Sequence, residues 1–449
     1  MKWLLTSAIG TTLVLASCGV TVDDAVRDYD TEAEALAIAP AIVSAGDPGP
    51  IRTGSTLSSN LTNVILLNPD VRSALRASDA ASAGINSAKS LLQPQVTGSL
   101  LAGGYQDDIS DSSTKSGASI AAQVTQLLFD GGAARGSISI AELEAKEAEV
   151  RASLVANGVA FQAAAVWLAN WNAQSSLASL KALESELMPH AKQIQRMANT
   201  GMIDRSVSDM IEGRMLEFAL SVSEAQYRSD IAAYEFKKYF GKSPWRLDYP
   251  KPSFKVADLE ARASSAITPA LRQAALRVMT ARAQEDVAAA KYSPRVSVEA
   301  GANSPMDRDE KTSARIGVSL AFNFYDGGKR DADLDRAREN VVAAEYTLES
   351  IRETSRKMLS DLLDRRRNVL ETIRLKSDKL AVLDRQLTVA ETQIQTGQAD
   401  VAKVFEVKVQ RHQLESSIRQ ARADLRVTEY QVASELGLFS LPSENGTDQ

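Results

Sequence analysis

The sequence predicts an α+β membrane protein that is organised as an internal two-fold repeat of β-hairpins and very long helices. Three observations lead to this fold class. Short motifs recur in the same order in both halves of the chain, each half holds two stretches of alternating polar and apolar residues, and a helical pattern of roughly 66 residues follows each pair of stretches. Alternation with a period of two is typical of strands, and similarity at a fixed offset is typical of duplicated units.

The composition argues against most kinds of enzyme and against a nucleic-acid partner. The 449 residues include 51 Lys and Arg against 57 Asp and Glu, and a net charge of −6 has the wrong sign for binding a polyanion. Two histidines (His190 and His412) and one cysteine are too few for a metal site, a Cys/His nucleophile or a disulfide framework. Common hydrolase, zinc-protease and phosphate-loop motifs are missing. We therefore expect no catalytic residues, no metal and no cofactor, and we expect both histidines to be solvent-exposed.

The first 17 residues predict a secretory signal peptide, because Lys2 precedes an apolar run that is too short for a stable membrane span. The run ends in Leu-Ala-Ser-Cys-Gly around Cys18, which resembles the lipobox of bacterial lipoproteins. The resemblance implies that Cys18 is the lipid attachment site, and the alternative is an unmodified thiol. Residues 18–57 would then form a lipidated acidic tether. Beyond the leader, no stretch approaches the roughly 18 to 20 apolar residues of a membrane-spanning helix.

Four short motifs recur at constant offsets. Two pairs lie 200 positions apart and two lie 196 apart, so one loop is four residues shorter in the second copy. The paired motifs begin at Asn68 and Thr268, at Pro94 and Pro294, at Leu128 and Phe324, and at Thr200 and Thr396. They define a first repeat at 58–240 and a second repeat at 258–438. A proline-aromatic linker at 241–257, expected at mid-length as an equatorial collar, joins the repeats, and a tail follows at 439–449.

Each repeat contains one predicted β-hairpin, at 94–129 and at 294–325. In the second hairpin, apolar residues from Val296 to Ala302 and from Ala314 to Phe324 alternate with polar residues. Strands of about ten to twelve residues with one apolar and one wet face have the length and pattern of tilted membrane-spanning strands. The wet face would line a water-filled lumen with Arg295, Glu299, Asn303, Arg315 and Asn323.

A sharp turn and a long helical hairpin follow each β-hairpin. The turns are Asp130-Gly131-Gly132 and Asp326-Gly327-Gly328, whose glycines can adopt the positive φ values of a sharp exit. The helical hairpins are predicted at 133–240 and 329–436, and the first helix of each would extend about 100 Å. Spacings of three and four predict a coiled-coil seam along the second long helix. The seam comprises Val341, Ala344, Leu348, Ile351, Ser355, Met358, Leu362, Leu380, Leu383, Leu387, Ala390 and Ile394.

The predicted four-stranded sheet cannot close on itself. Unpaired N–H and C=O groups at its edges are costly in hydrocarbon, so other copies of the chain must complete it. Closure by two, three or four chains would give eight, twelve or sixteen strands. The residues alone do not choose among these numbers.

The tandem order of X-Pro helix, hairpin, Asp-Gly-Gly turn, long helix and Thr-Gly turn resembles the TolC-like outer membrane factor family, in its lipoprotein form, over roughly residues 58–438. The resemblance implies a homotrimer in which each chain gives four strands to one transmembrane β-barrel. The barrel would continue as a periplasmic α-helical barrel. The implied function is passive conduction through the outer membrane, as the channel of a tripartite efflux or type I secretion system. The implied partners are a periplasmic adaptor, an inner-membrane pump or ABC exporter, and outer membrane lipid.

The same resemblance implies two sets of site residues at the inner end of the molecule. The helical turns would dock the adaptor through Thr200, Gly201, Asp204, Thr396, Gly397 and Asp400. Some family members narrow the periplasmic aperture with carboxylates six and nine residues after the second glycine. This chain has Lys403 and Glu406 at those positions, so one acid is kept and one is replaced by the opposite charge. A solvated helical face is the alternative interpretation of both residues.

A periplasmic adaptor lipoprotein of the same type of system is the alternative function. An adaptor would have one helical hairpin inserted in a small lipoyl-like β domain. This chain has two complete units of strand pair and helical hairpin, which favours the channel. The transported substrate is not encoded in any motif of the sequence.

Overall fold

Long helices account for most of the computed structural model, which describes residues 56–105, 115–252, 254–265, 267–305, 311–395 and 401–439. The predictions for the signal peptide, Cys18, nearly all of the tether, Thr396, Gly397, Asp400 and most of the tail lie outside these residues. The described helices are α1 (Leu57–Leu67), α2 (Pro69–Ser90), α3 (Ala133–Asn199), α4 (Arg205–Phe240), α5 (Leu259–Ser265), α6 (Pro269–Ala290), α7 (Lys329–Gln395) and α8 (Val401–Glu435). The described strands are β1 (Gln95–Tyr105), β2 (Lys115–Phe129), β3 (Arg295–Pro305) and β4 (Ser313–Ala321).

The recurring Asn-Pro and Thr-Pro motifs are helix starts. The Asn68 side chain accepts a hydrogen bond from the Asp70 backbone N–H at 2.8 Å, and Pro69 occupies the first helical position of α2. Thr268 accepts from the Leu271 N–H at 3.2 Å, and a proline again begins α6. A capping oxygen followed by a residue with fixed φ and no N–H suits the start of a helix.

The four strands form one antiparallel sheet in the order β1-β2-β3-β4, so pairing of β2 with β3 joins the two hairpins. Strand β4 ends at Ala321, four residues before the predicted end of the second hairpin. Ala321 pairs with Arg295, the first residue of β3, and Pro294 before it has no N–H to donate. The ladder stops there, and Asn323 consequently lies beyond the sheet.

The helices α3 and α7 contain 67 residues each and extend about 100 Å at 1.5 Å per residue. On α7, Val341, Leu362 and Leu383 are buried, as the predicted seam requires. Met358 is 36% exposed, whereas its neighbour Leu359 is 5% exposed, so Met358 was assigned to the wrong face. An α-helix has 3.6 residues per turn, so its buried face rotates slowly relative to a strict seven-residue repeat. At this level the buried position has moved by one residue, from Met358 to Leu359.

A buried aromatic cluster at mid-length joins α3, α4 and the linker. The Trp167 ring lies 5.5 Å from that of Phe236, and its indole N–H donates to the Asp248 carbonyl at 3.3 Å. Tyr249 of the linker packs against Trp171 at 4.9 Å between ring centroids. The linker therefore packs against the helices beside their main core.

One polar side chain that was expected on the surface is buried, and one charged side chain nearby is half-buried. His412 is 8% exposed, and its Nδ1 lies 3.3 Å from the Ser179 hydroxyl of α3. The Arg366 guanidinium bridges Glu260 at 3.1 Å and Glu429 at 3.3 Å. The predicted exposure of His412 was wrong, because α8 packs closely against α3 at this level.

By length and composition, α3 contains a stretch that could cross a membrane, contrary to the expectation for the mature chain. Half of that stretch is buried inside the structure. A buried core helix of a protein has the same high hydropathy as a membrane-spanning helix. The α3 helix fits the core case, because it contributes Ala160, Ala163, Ala164 and Trp167 to the main core.

Candidate functional site

The strand register places apolar side chains together on one face of the sheet. Val96 pairs with Val124, Val124 with Ala300, and Ala300 with Ile316. Directly paired residues share a face, so even-numbered positions align across all four strands. Ile316 is 81% exposed and Val96 is 72% exposed. The result is one continuous apolar surface with no cover from the described part of the chain.

The opposite face of the sheet is polar. Thr125 pairs with Glu299, and Asn303 pairs with Ser313. Arg315 pairs with Gly301 on the same face. Four of the five predicted lumen residues therefore share this face: Arg295, Glu299, Asn303 and Arg315.

A register shift near the base of β2 enlarges the apolar face. The shift lies between Leu127 and Phe129 and places Phe129 opposite Val296. A bulge of this kind turns the following side chain to the other face. Below the sheet, Phe324 and Tyr325 are 90% and 89% exposed. Alternation alone could not show this bulge, because one inserted residue leaves no compositional signal.

The outer strands β1 and β4 each pair with one neighbour among the described residues. Their free edges present backbone N–H and C=O groups. In hydrocarbon such groups require a partner strand.

The first Asp-Gly-Gly turn is fixed by its aspartate and by a close backbone approach. The Asp130 carboxylate accepts from the Gly132 N–H at 3.0 Å and from the Ala134 N–H at 2.7 Å. Gly131 has a φ of +70°, and a Cβ there would lie 2.4 Å from the Cβ of Ser293. Only glycine satisfies both conditions.

In the second turn, the aspartate forms an ion pair as well as a hydrogen bond to a backbone N–H. The Asp326 carboxylate accepts from the Arg330 backbone N–H at 3.3 Å and from its Nε at 2.8 Å. Burial opposes ionisation of Asp326, but the hydrogen bonds and charge of Arg330 outweigh it and lower the pKa of the carboxyl. Gly327 and Gly328 have φ values of +70° and +85°, as predicted for a sharp exit.

The first predicted docking turn is an exposed helix-to-helix reversal. The Thr200 hydroxyl donates to the Arg196 carbonyl at 3.1 Å, and Gly201 has a φ of +73°. Asp204 accepts from the Ser206 backbone N–H at 2.8 Å, and this hydrogen bond lowers the pKa of its carboxyl. Met202 between them is 72% exposed. The turn thus presents a methionine side chain beside a carboxylate.

The two predicted aperture residues lie on α8 beside the start of α4. Lys403 and Glu406 are exposed, and the Glu406 carboxylate accepts from the Gln410 amide at 3.2 Å. Both line a groove of about 540 Å³ together with Met210 and Phe405.

An ionic contact ties three helices together near the same end. Lys408 of α8 lies 2.5 Å from Glu186 of α3 and 3.3 Å from Glu391 of α7. Burial disfavours the charged ammonium, but the two carboxylates outweigh it and raise the pKa of Lys408. Sequence reasoning missed this contact, because its partners lie far apart along the chain. Among the described residues, no cluster of three or more His, Cys, Asp or Glu side chains is placed to hold a metal ion.

Comparison with known proteins gives matches to outer membrane proteins. The model of the family described as outer membrane efflux protein matches residues 262–438. The outer membrane protein TolC of Salmonella enteritidis is 25% identical over 331 residues, which are 66% of this chain. The chain spans 65% of the length of that curated relative.

Solved structures of similar fold include outer membrane proteins. CusC, described for its transmembrane channel formation, has a TM-score of 0.74 at 15% identity, over 86% of this chain and 93% of CusC. VceC of Vibrio cholerae has a TM-score of 0.73 at 12% identity, over 85% and 96% of the two chains. The open-state outer membrane channel MtrE of Neisseria gonorrhoeae has a TM-score of 0.71 at 13% identity, over 85% and 89%. The chain is similar to the TolC-like outer membrane factor family, through the efflux-protein family model over residues 262–438 and through its fold over most of its length.

Proposed function

We propose that this protein is the outer membrane channel of a tripartite efflux or type I secretion system. It conducts substrates passively from an inner-membrane pump or ABC exporter and a periplasmic adaptor to the outside. The observation that carries the proposal is the strand register, which gives one exposed apolar face and one polar face across four strands. Such a sheet suits lipid on one side and water on the other.

The free edges of β1 and β4 support assembly as a homotrimer. Three chains contribute twelve strands, and pairing β1 of one chain with β4 of the next satisfies every edge. Two helices also carry exposed apolar stripes with the seven-residue spacing of a helix-helix seam. The stripes comprise Leu220, Tyr227 and Tyr234 on α4, and Leu375, Val382 and Val389 on α7. A neighbouring chain would cover both stripes in a closed ring.

The long helices extend the duct into the periplasm. With the sheet in the outer membrane, α3 and α7 reach about 100 Å inward. The lipid on Cys18 provides a second attachment to the same membrane. Passive conduction requires no bond-making chemistry, and we assign no catalytic role to any residue.

The adaptor docks at the inner helical turns. Thr200, Gly201 and Asp204 form an exposed turn, and the groove beside it exposes apolar and charged side chains. The repeat assigns the same role to Thr396, Gly397 and Asp400. Lys403 and Glu406 lie near this end, where they would face the aperture. The alternative, a periplasmic adaptor lipoprotein, is not favoured, because the matched family and the solved relatives are outer membrane proteins.

A pair of charge insertions on opposite faces of β4 tests the proposal. Purified wild-type protein should run as a detergent-stable trimer and form conducting pores in planar bilayers. Ile316→Arg places a cation on the apolar face, at a cost of about 2 to 4 kcal/mol near the bilayer midplane, and should abolish assembly and pores. Ser319→Arg, on the polar face, is the matched control and should retain both. A wild-type protein that remains a water-soluble, non-conducting monomer would refute the proposed function.

A further inference from the structure

A groove of about 620 Å³ lies at the base of the sheet, where the strands pass into helices. Its strand residues are Leu127, Arg295 and Ala321. Arg295 pairs directly with Ala321, and Leu127 pairs with Ser297 on the same side. These residues share the face of Glu299, so the groove opens on the polar side of the sheet.

The acidic side chains of the groove are already engaged. Asp333 lies 2.8 Å from Lys329 and 3.4 Å from Lys291. Asp326 pairs with Arg330 at 2.8 Å. The remaining acid, Asp130, accepts backbone N–H groups at the start of α3. Each carboxylate therefore has a donor within the protein itself.

Arg295 is the exception among the basic side chains of the groove. Within the ranges that the structure describes, no carboxylate lies within 4 Å of its guanidinium, although Lys291, Lys329 and Arg330 are all paired. The Arg295 side chain is also exposed. A guanidinium offers a planar fork of N–H donors that matches a carboxylate or sulfonate.

The rest of the groove wall is largely apolar. Leu91, Leu127, Ala290 and Phe322 line it beside Arg295. A volume of about 620 Å³ falls within the range of about 300 to 1,000 Å³ that small-molecule sites occupy. The groove thus combines an apolar wall with one uncompensated cation.

We propose that this groove is a transient binding site for amphipathic organic anions that pass along the duct. The acid group of the substrate pairs with Arg295, and its hydrophobic body lies against Leu127 and Phe322. A cationic amphiphile would be repelled by the unpaired Arg295 guanidinium. It would also have no free carboxylate to bind, because each acidic side chain of the groove already has a donor within the protein. The inference rests on the proposed function for its place on the lumen wall, and it names a substrate class for that duct.

Taurocholate, a steroid that carries one sulfonate, is a suitable probe. Its binding to the full-length trimer in a neutral maltoside is measured by isothermal titration, and its block of single-channel current is measured in planar bilayers. Arg295→Gln should weaken binding and block about five- to ten-fold, the loss expected for one charge-assisted hydrogen-bonded pair at an open site. Arg295→Lys, which keeps the charge, should recover most of the loss.

Arg315→Gln is the matched control. Arg315 shares the polar face but lies opposite Gly301, about 20 Å along β3 from Arg295. Its variant should bind taurocholate as the wild type does. Equal binding by Arg295→Gln and wild type, or an equal loss in Arg315→Gln, would overturn the assignment of the groove. Failure of the wild type to conduct would instead count against the proposed function, and the titration would still test the groove.

Discussion

Aspartate side chains define the chain reversals of this molecule. Asp130, Asp204 and Asp326 each accept backbone N–H groups where a helix begins. The first turns of helices leave such groups unpaired, and a carboxylate also favours the positive end of the helix dipole. At Asp204 the carboxylate that caps α4 is also exposed. Capping and docking can therefore be separated only by variants that keep one of the two roles.

Asp204→Asn removes the charge and keeps a capping oxygen, because asparagine is also a favoured N-cap residue. If the carboxylate contributes to docking, this variant should weaken crosslinking to the adaptor while the trimer remains intact. Asp204→Lys should weaken it further. Adaptor crosslinking unchanged in both variants would remove this turn from the docking surface.

The cap itself has a defined pH dependence. The Ser206 N–H lowers the pKa of Asp204 below its ordinary value of 3.8. The stabilisation is therefore present at neutral pH and is lost only as the pH falls below that value, when the carboxyl gains a proton. Docking assays at neutral pH consequently probe the ionised form.

At the scale of elements, the packing of α3 against α8 is polar as well as apolar. His412 of α8 faces the Ser179 hydroxyl of α3 and the Phe218 ring of α4, with Arg411 and Arg419 on its own helix. Burial lowers the pKa of His412, and the charges of Arg419 and Arg411 lower it further. The imidazole is thus held neutral within a helix-helix contact.

His412→Gln should make the molecule less sensitive to mild acid. With the pKa lowered from 6.5 in the folded protein, the unfolded chain takes up the proton first, so wild-type stability falls as the pH drops below about 6.5. Thermal unfolding measured between pH 8 and pH 5 should show a smaller decrease for His412→Gln than for wild type. His190→Gln, the variant at the other histidine, should follow the wild type. An identical pH response of His412→Gln and wild type would contradict this account.

Local patterns in the sequence predict the strands and helices well, because each element repeats its apolar residues at its own period. The X-Pro helix starts and the glycine turns were also visible, since each needs one particular residue type. The bulge before Phe129, the burial of His412 and the contacts of Lys408 were not visible. These features depend on which elements lie side by side, and no local pattern encodes that choice.

At the scale of the whole molecule, the described part of one chain leaves several surfaces without partners. Its sheet has two free edges, and exposed apolar stripes on α4 and α7 lack partners in the described part of the chain. Each feature is costly alone, and the closed ring of copies that we propose would satisfy both. In the proposed ring, the strand edges would pair within the membrane and the helical stripes would be covered in the periplasm.

Membrane attachment through Cys18, predicted from the sequence, is a separate proposal for the whole molecule. Cys18→Ala should abolish palmitate labelling, because the only cysteine of the chain is removed. Trimer formation should persist, since the sheet provides its own contact with lipid. Continued labelling of the variant would refute the predicted attachment site.

We propose above all that copies of this chain close around an open water path. Electron cryomicroscopy of the full-length protein in lipid nanodiscs tests it most directly. We expect a three-fold particle with a hollow twelve-stranded ring in the lipid and a hollow helical tube below it. A plugged or solid particle, or single unassembled chains in the lipid, would contradict it.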